Sequence, residues 1–188
     1  MFLKRVIWGC ILGLLSWSIA EGASNEASLR VAFVYKFIKF IEWPGQTASS
    51  SVRLCALGAT GDAKEALQPL NGQTVSTQMN DGKPVVKQAI ELIYLDDPTT
   101  TLQQLKTCQM LYRPAHAIPI AVPSPLPVGV LLVADDPQSS ETNVGIALTR
   151  NSEGRIEFSI SVPAANQAGV SISSQLLKLA RNNRGDKE

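Results

Sequence analysis

Histidine is nearly missing from this chain: its 188 residues hold one, His116. Without a second histidine there is no HExxH zinc helix, and without a CxxC pair His116 cannot complete a zinc tetrad. A GxSxG nucleophile elbow and a full GxGxxG dinucleotide turn are absent as well. An excess of either charge is also missing. The chain holds 17 basic and 16 acidic side chains, and two of the bases, Lys4 and Arg5, lie in the first twenty residues with no acid beside them. The remainder carries 15 bases against 16 acids, which leaves no electrostatic footprint for nucleic acid. Residues 115–134 contain no Asp, Glu, Lys or Arg, but they do contain Pro119, Pro123, Pro125 and Pro127. Each interior proline costs a helix about 3 kcal/mol, so the segment reads as a Pro-rich connection into a buried strand rather than a membrane span. A hydrophobic fraction of 45% excludes a disordered chain, and the length suits one domain.

The N-terminus carries a secretory pattern. Lys4 and Arg5 precede the apolar residues Val6 to Leu15, and Ser18-Ile19-Ala20 puts small residues at positions −3 and −1 of a cut after Ala20. The apolar stretch falls short of the roughly 20 residues a spanning helix needs. An uncleaved anchor, or a lipoprotein modified at Cys10, are the alternatives. Cleavage leaves residues 21–188 as a single exported domain and removes Cys10, so Cys55 and Cys108 remain. Two cysteines in an oxidising compartment favour a disulfide over a metal site, with two buried free thiols as the alternative.

Periodicity sets out the elements. Over Glu26–Glu42 a helix places Leu29, Phe33, Val34, Phe37, Ile38, Phe40 and Ile41 on one half of the wheel. Arg30 is the one charged intruder there; Ala32, Tyr35, Lys36, Lys39 and Glu42 occupy the other half, and Pro44 ends the element after Trp43. Strands are expected at Val52–Leu57, Thr74–Gln78, Val85–Gln88, Ile90–Leu95, Gln109–Tyr112, Val130–Ala134, Val144–Thr149 and Arg155–Ser161. Asn80-Asp81-Gly82 marks a hairpin turn. Helices are expected at Asp62–Leu67, Pro98–Lys106, Ala164–Ala168 and from a Ser173 cap through Arg181. The order implies an α/β sandwich, a mixed sheet flanked by helices in Rossmann-like layers.

Three features invite a chemical reading. Asp96-Asp97 and Asp135-Asp136 end two strands, where an α/β sheet could hold Mg²⁺ for an Asp-based metal-dependent hydrolase; the competing reading is that Asp97 caps a helix beginning at Pro98 and Asp136-Pro137 forms a turn. Gly58-Ala59-Thr60-Gly61 hints at a phosphate-cradling turn but reads better as a structural one. His116 reads as a loop histidine. No catalytic, metal or cofactor residue is assigned. The helix is the most distinctive element, because Phe33, Tyr35, Phe37, Phe40 and Trp43 are five of the eight aromatics beyond residue 20. Its Phe/Ile half is core. Tyr35, Lys39, Glu42 and Trp43, at its outward side and exit, are the candidate partner contacts.

The segment Val31-Ala32-Phe33-Val34-Tyr35-Lys36-Phe37-Ile38-Lys39-Phe40-Ile41-Glu42-Trp43-Pro44 resembles the opening signature of the YfiR/HmsC family. The resemblance continues at Leu54–Gly58, at Cys108–Tyr112 and at the closing stretch Ala168–Ala180. It implies a periplasmic regulator without catalytic activity. Its best understood relatives bind the periplasmic domain of an inner-membrane diguanylate cyclase and hold it inactive, lowering cyclic di-GMP and biofilm formation. It also implies that Cys55 and Cys108 pair; the second cysteine pair that some relatives carry near residues 141–151 is absent here. Another membrane sensor, a small ligand held between sheet and helix, and a second copy of the chain are the other candidate partners.

Overall fold

A computed structural model of the chain describes residues 20–45, 51–77, 86–97, 99 and 102–181. The expected leader therefore lies outside the described residues except for Ala20, as do the Asn80-Asp81-Gly82 turn and Pro98.

Helix α1 runs Ala20–Ile38. It stops earlier than its periodicity predicts. Lys39 N–H bonds Lys36 O at 3.0 Å and Phe40 N–H bonds Phe37 O at 2.9 Å, tightening the last turn. Ile41–Glu42 then becomes strand β1, because Pro44 keeps Trp43 from continuing the helix and a distant strand offers pairing. Next come β2 Val52–Leu57, α2 Gly61–Leu67, a 3₁₀ turn Gln68–Leu70, β3 Thr74–Thr77 and β4 Val86–Leu95. The chain continues through α3 Leu102–Leu105, β5 Met110–Arg113, β6 Leu131–Asp135, β7 Val144–Arg150 and β8 Ile156–Ile160. It closes with α4 Val162–Ala168, β9 Ser171–Ile172 and α5 Ser174–Leu179. The two strands expected at Val85–Gln88 and Ile90–Leu95 are thus one ten-residue strand, since nothing between them breaks an extended chain. Ser173 caps α5 as expected, its hydroxyl accepting from Leu176 N–H at 3.2 Å.

Seven strands form one mixed sheet in the order β3-β4-β2-β5-β6-β7-β8. The five inner strands are parallel, and an antiparallel partner closes each edge. Period-two alternation divides the buried residues between two cores. Leu54, Ala56, Met110, Tyr112, Leu131 and Val133 point to a first core, whereas Cys55, Leu57, Leu111, Leu132 and Ala134 point to a second. Helix α1 contributes Val31, Val34, Phe37 and Ile38 to the first core, with side chains from α2, α4 and α5. The second core is covered by Leu105 of α3 and by Ile120, Val122 and Leu126 of the Pro-rich connection. Gly145 makes a bulge in β7: Leu132 pairs with Val144, but Val133 pairs with Ile146. The extra residue sends Val144 to the second core and Ile146 to the first. A Cβ at Gly145 would lie 2.3 Å from Leu131 Cδ1.

A candidate partner-binding face and its buried support

Arg30, the charge on the apolar half of the α1 wheel, is buried with 3% exposure. Its Nη2 bonds Glu26 Oε1 and Asp136 Oδ2, each at 2.8 Å, and its Nη1 lies 3.6 Å from Asp135 Oδ1. Arg150 of β7 pairs with the other oxygen of Glu26. Tyr112 Oη donates to Asp135 Oδ2 at 2.8 Å, and Ala115 N–H donates to the same oxygen at 3.0 Å. Asp135 Oδ1 has no hydrogen-bond partner among the described residues. Burial pushes the Asp135 carboxyl up, against the Tyr112 hydroxyl, Arg30 and the Ala115 N–H, which pull it down. Burial, with the adjacent Asp135 charge, raises the Tyr112 phenol well above its ordinary value. Three carboxylates thus face two guanidinium groups, and the set clamps the first half of α1 onto the ends of β5, β6 and β7. The helical wheel puts Leu29 on the apolar half, but it is 48% exposed, because Arg30 and Val31 take the inward positions.

The four candidate aspartates do not form one site. Asp96 follows β4 and pairs with Lys64 at 2.7 Å. Asp135 ends β6, three strand intervals away in the sheet order, a lateral separation of roughly 14 Å. Asp97 accepts from Thr99 N–H at 2.8 Å, closing a local turn. Helix α3 is described from Leu102, and Pro98, which the expected Asp97 cap would precede, lies outside the described residues. Asp136 does sit at a bend, with φ of 43°, but its carboxylate is spent on Arg30. Among the described residues, no group of three or more His, Cys, Asp or Glu side chains is gathered to hold a metal ion.

The crevice between β2 and β5, where the strand order reverses and α/β sheets commonly hold ligands, is filled by the chain itself. Ile118 N–H bonds Gly58 O at 2.8 Å, and a Cβ on Gly58 would lie 2.3 Å from Ile118 O. The Gly58–Gly61 turn is therefore a packing contact that only glycine allows. His116 is exposed on this connection.

Cys55 and Cys108 are joined in a disulfide, with Cα atoms 5.8 Å apart, buried in the second core. The residue after Cys108 connects the two faces. Gln109 O accepts from the indole Nε1 of Trp43 at 3.0 Å, and Gln109 Oε1 accepts from Arg53 N–H at 2.8 Å. Trp43 itself is packed into the first core with 5% exposure. Tyr35 and Lys39 lie one helical turn apart and half-buried, Lys39 Nζ being 5.8 Å from the Tyr35 ring centroid. Glu42, also half-buried, sits opposite Ser171. Strand β1 pairs with β9, Ile41 opposite Ile172, and Ser173 N–H bonds Phe40 O at 2.9 Å. The exit of α1 is therefore joined to the closing segment of the chain.

A family model described as YfiR/HmsC-like matches residues 27–181. The chain belongs to the YfiR/HmsC-like family. Comparison with curated proteins finds no match. In this YfiR/HmsC-like chain the opening and closing motifs, remote in sequence, meet at the β1–β9 pair. Among the described residues, no helix is long and apolar enough to cross a membrane.

The Arg30–Asp135–Asp136 clamp is the arrangement that sequence reasoning did not assemble. Its two halves were both visible, an arginine on an apolar helix face and an acidic pair at a buried strand end, but nothing local shows that they touch.

Proposed function

We propose that the protein is an exported regulator that binds the periplasmic sensor domain of an inner-membrane diguanylate cyclase and holds it inactive, lowering cyclic di-GMP. The observation that carries this reading is the YfiR/HmsC-like match, which spans α1 through α5, because regulation of this kind is what membership implies. The leader is cut after Ala20 and residues 21–188 act in the periplasm as one domain without catalysis of their own. The partner contacts are Tyr35, Lys39 and Glu42, with Trp43 fixing the helix exit beneath them. The clamp at Arg30 supports this role, since it holds rigid the helix that carries Tyr35 and Lys39; a rigid scaffold lowers the ordering cost of association.

The test is co-purification of the tagged chain with the membrane cyclase, together with cellular cyclic di-GMP. The Lys39→Glu/Glu42→Lys variant should melt like wild type, because surface changes of this kind stay within about 0.5 kcal/mol. It should lose about 2 kcal/mol or more of binding if these side chains are a contact centre, and cyclic di-GMP should rise. Full repression by the folded variant would remove this face from the interface. Mass spectrometry of the exported chain should find Glu21 at its N-terminus; an intact leader would replace cleavage by anchoring.

A further inference from the structure

Between α1 and α2 runs a groove of about 500 Å³. Ala32 and Tyr35 line its α1 side, Asp62 and Glu65 its α2 side, and Val31 and Leu70 its apolar base. Both carboxylates are exposed and, among the described residues, in no ion pair, although Lys36 is exposed beside Tyr35 on the α1 side. Lys64, between them on α2, pairs with Asp96 at 2.7 Å and lies 4.7 Å from the Tyr94 ring centroid. Arg30 is held by Glu26 and Asp136, and Lys39 stays by the Tyr35 ring. The α2 side of the rim thus carries two exposed negative charges, three residues apart on one helix and so roughly 5–6 Å from each other. The lining residues of α1 cover about two turns, roughly 10 Å.

The geometry points to a docking groove for a cationic amphipathic helix of a protein partner, its Lys or Arg side chains meeting Asp62 and Glu65 and its aliphatic side chains lying over Val31 and Leu70. This deepens the reading of α1 as the partner face and rests on it. An aliphatic residue flanked by cations one turn apart matches both the spacing of the acids and the apolar strip between the helices. An acidic segment would be repelled by the same rim. Because the ion pairs are exposed, binding weakens as salt rises.

The test uses the mature chain and a fluorescein-labelled helical peptide of Leu and Lys, with a length-matched Leu/Glu peptide as control, read by anisotropy. The Lys peptide should bind and the Glu peptide should not. Asp62→Asn/Glu65→Gln should weaken binding by about tenfold with an unchanged melting curve. Ala32→Trp, which fills the groove from an exposed position without altering charge, should weaken it similarly. Equal binding of both peptides, wild-type affinity in both variants, or no binding by the wild-type chain would overturn the proposal. A chain that binds the Lys peptide but captures no cyclase removes the reading above and keeps the groove; one that captures the cyclase but not the peptide does the reverse.

Discussion

The two faces of the sheet are held by different means. On the first, helices bury a continuous apolar core, with Phe33, Phe37 and Phe158 in mutual ring contact at 5.1–6.1 Å, and a buried ionic clamp sets the position of α1. On the second, the only helix among the described residues is the four-residue α3. Its cover is a Pro-rich connection, and its fastening is the Cys55–Cys108 bond. Burial by regular helices needs no covalent help. A face covered by irregular chain gains from whatever narrows the unfolded ensemble, and both prolines and a disulfide do so.

The contrast can be broken most severely at Trp43. Trp43→Ala should lower stability by about 4 kcal/mol in urea melts, because it empties part of the first core and removes the bond to Gln109 O; a loss under about 1 kcal/mol would show that the indole is not structural. Cys108→Ser should lower it by about 3 kcal/mol, and thiol labelling of the unreduced denatured wild type should find no reactive cysteine among Cys55 and Cys108. Because Trp43 bonds the residue after Cys108, the two changes should not add: the double variant should fall short of the sum by more than about 0.5 kcal/mol. Strict additivity would mean that the two faces do not communicate through Gln109. Ser173→Ala, which removes the α5 cap, should cost about 1 kcal/mol.

The smallest effects are those of pH, and the faces differ in sign. The Asp135 carboxyl is raised in the folded chain from its ordinary 3.8, mainly by burial. Its contribution to stability is full below that value and is lost as pH rises through the folded pKa. Glu141 is lowered from 4.5, mainly by its hydrogen bond from Arg113, so its contribution is present above that value and is lost as pH falls. Asp135→Asn should therefore gain melting temperature relative to wild type as pH rises from about 4 to about 7. Parallel curves would show that Asp135 ionises in the folded chain as freely as in the unfolded one.

Much of this fold was legible in local pattern. The central strands Val52–Leu57 and Leu131–Asp135 announce themselves as short apolar runs, and Ile156–Ile160 by alternation. The cap at Ser173 follows from a serine ahead of an apolar run. Other features were illegible for a physical reason: they exist only where segments remote in the chain meet. β1 and β9 are two residues each, too short to show a period, and each is a strand because the other lies beside it. The Gly145 bulge is visible only in register. Arg30 reads locally as an error of amphipathicity, and Asp135-Asp136 as a metal pair or a turn, until the fold sets one against the other.

Composition and residues close in the chain were enough for the layered α/β class, for Cys55 and Cys108 as a candidate pair, and for the aromatic helix with its polar side. Where that helix ends, which way Trp43 and Leu29 point, and that the acidic pair meets Arg30 of that helix all depend on contacts between distant segments. A buried charge finds its partner through space. Arg30 and Asp136 are 106 positions apart, and no periodicity in the chain spans that distance.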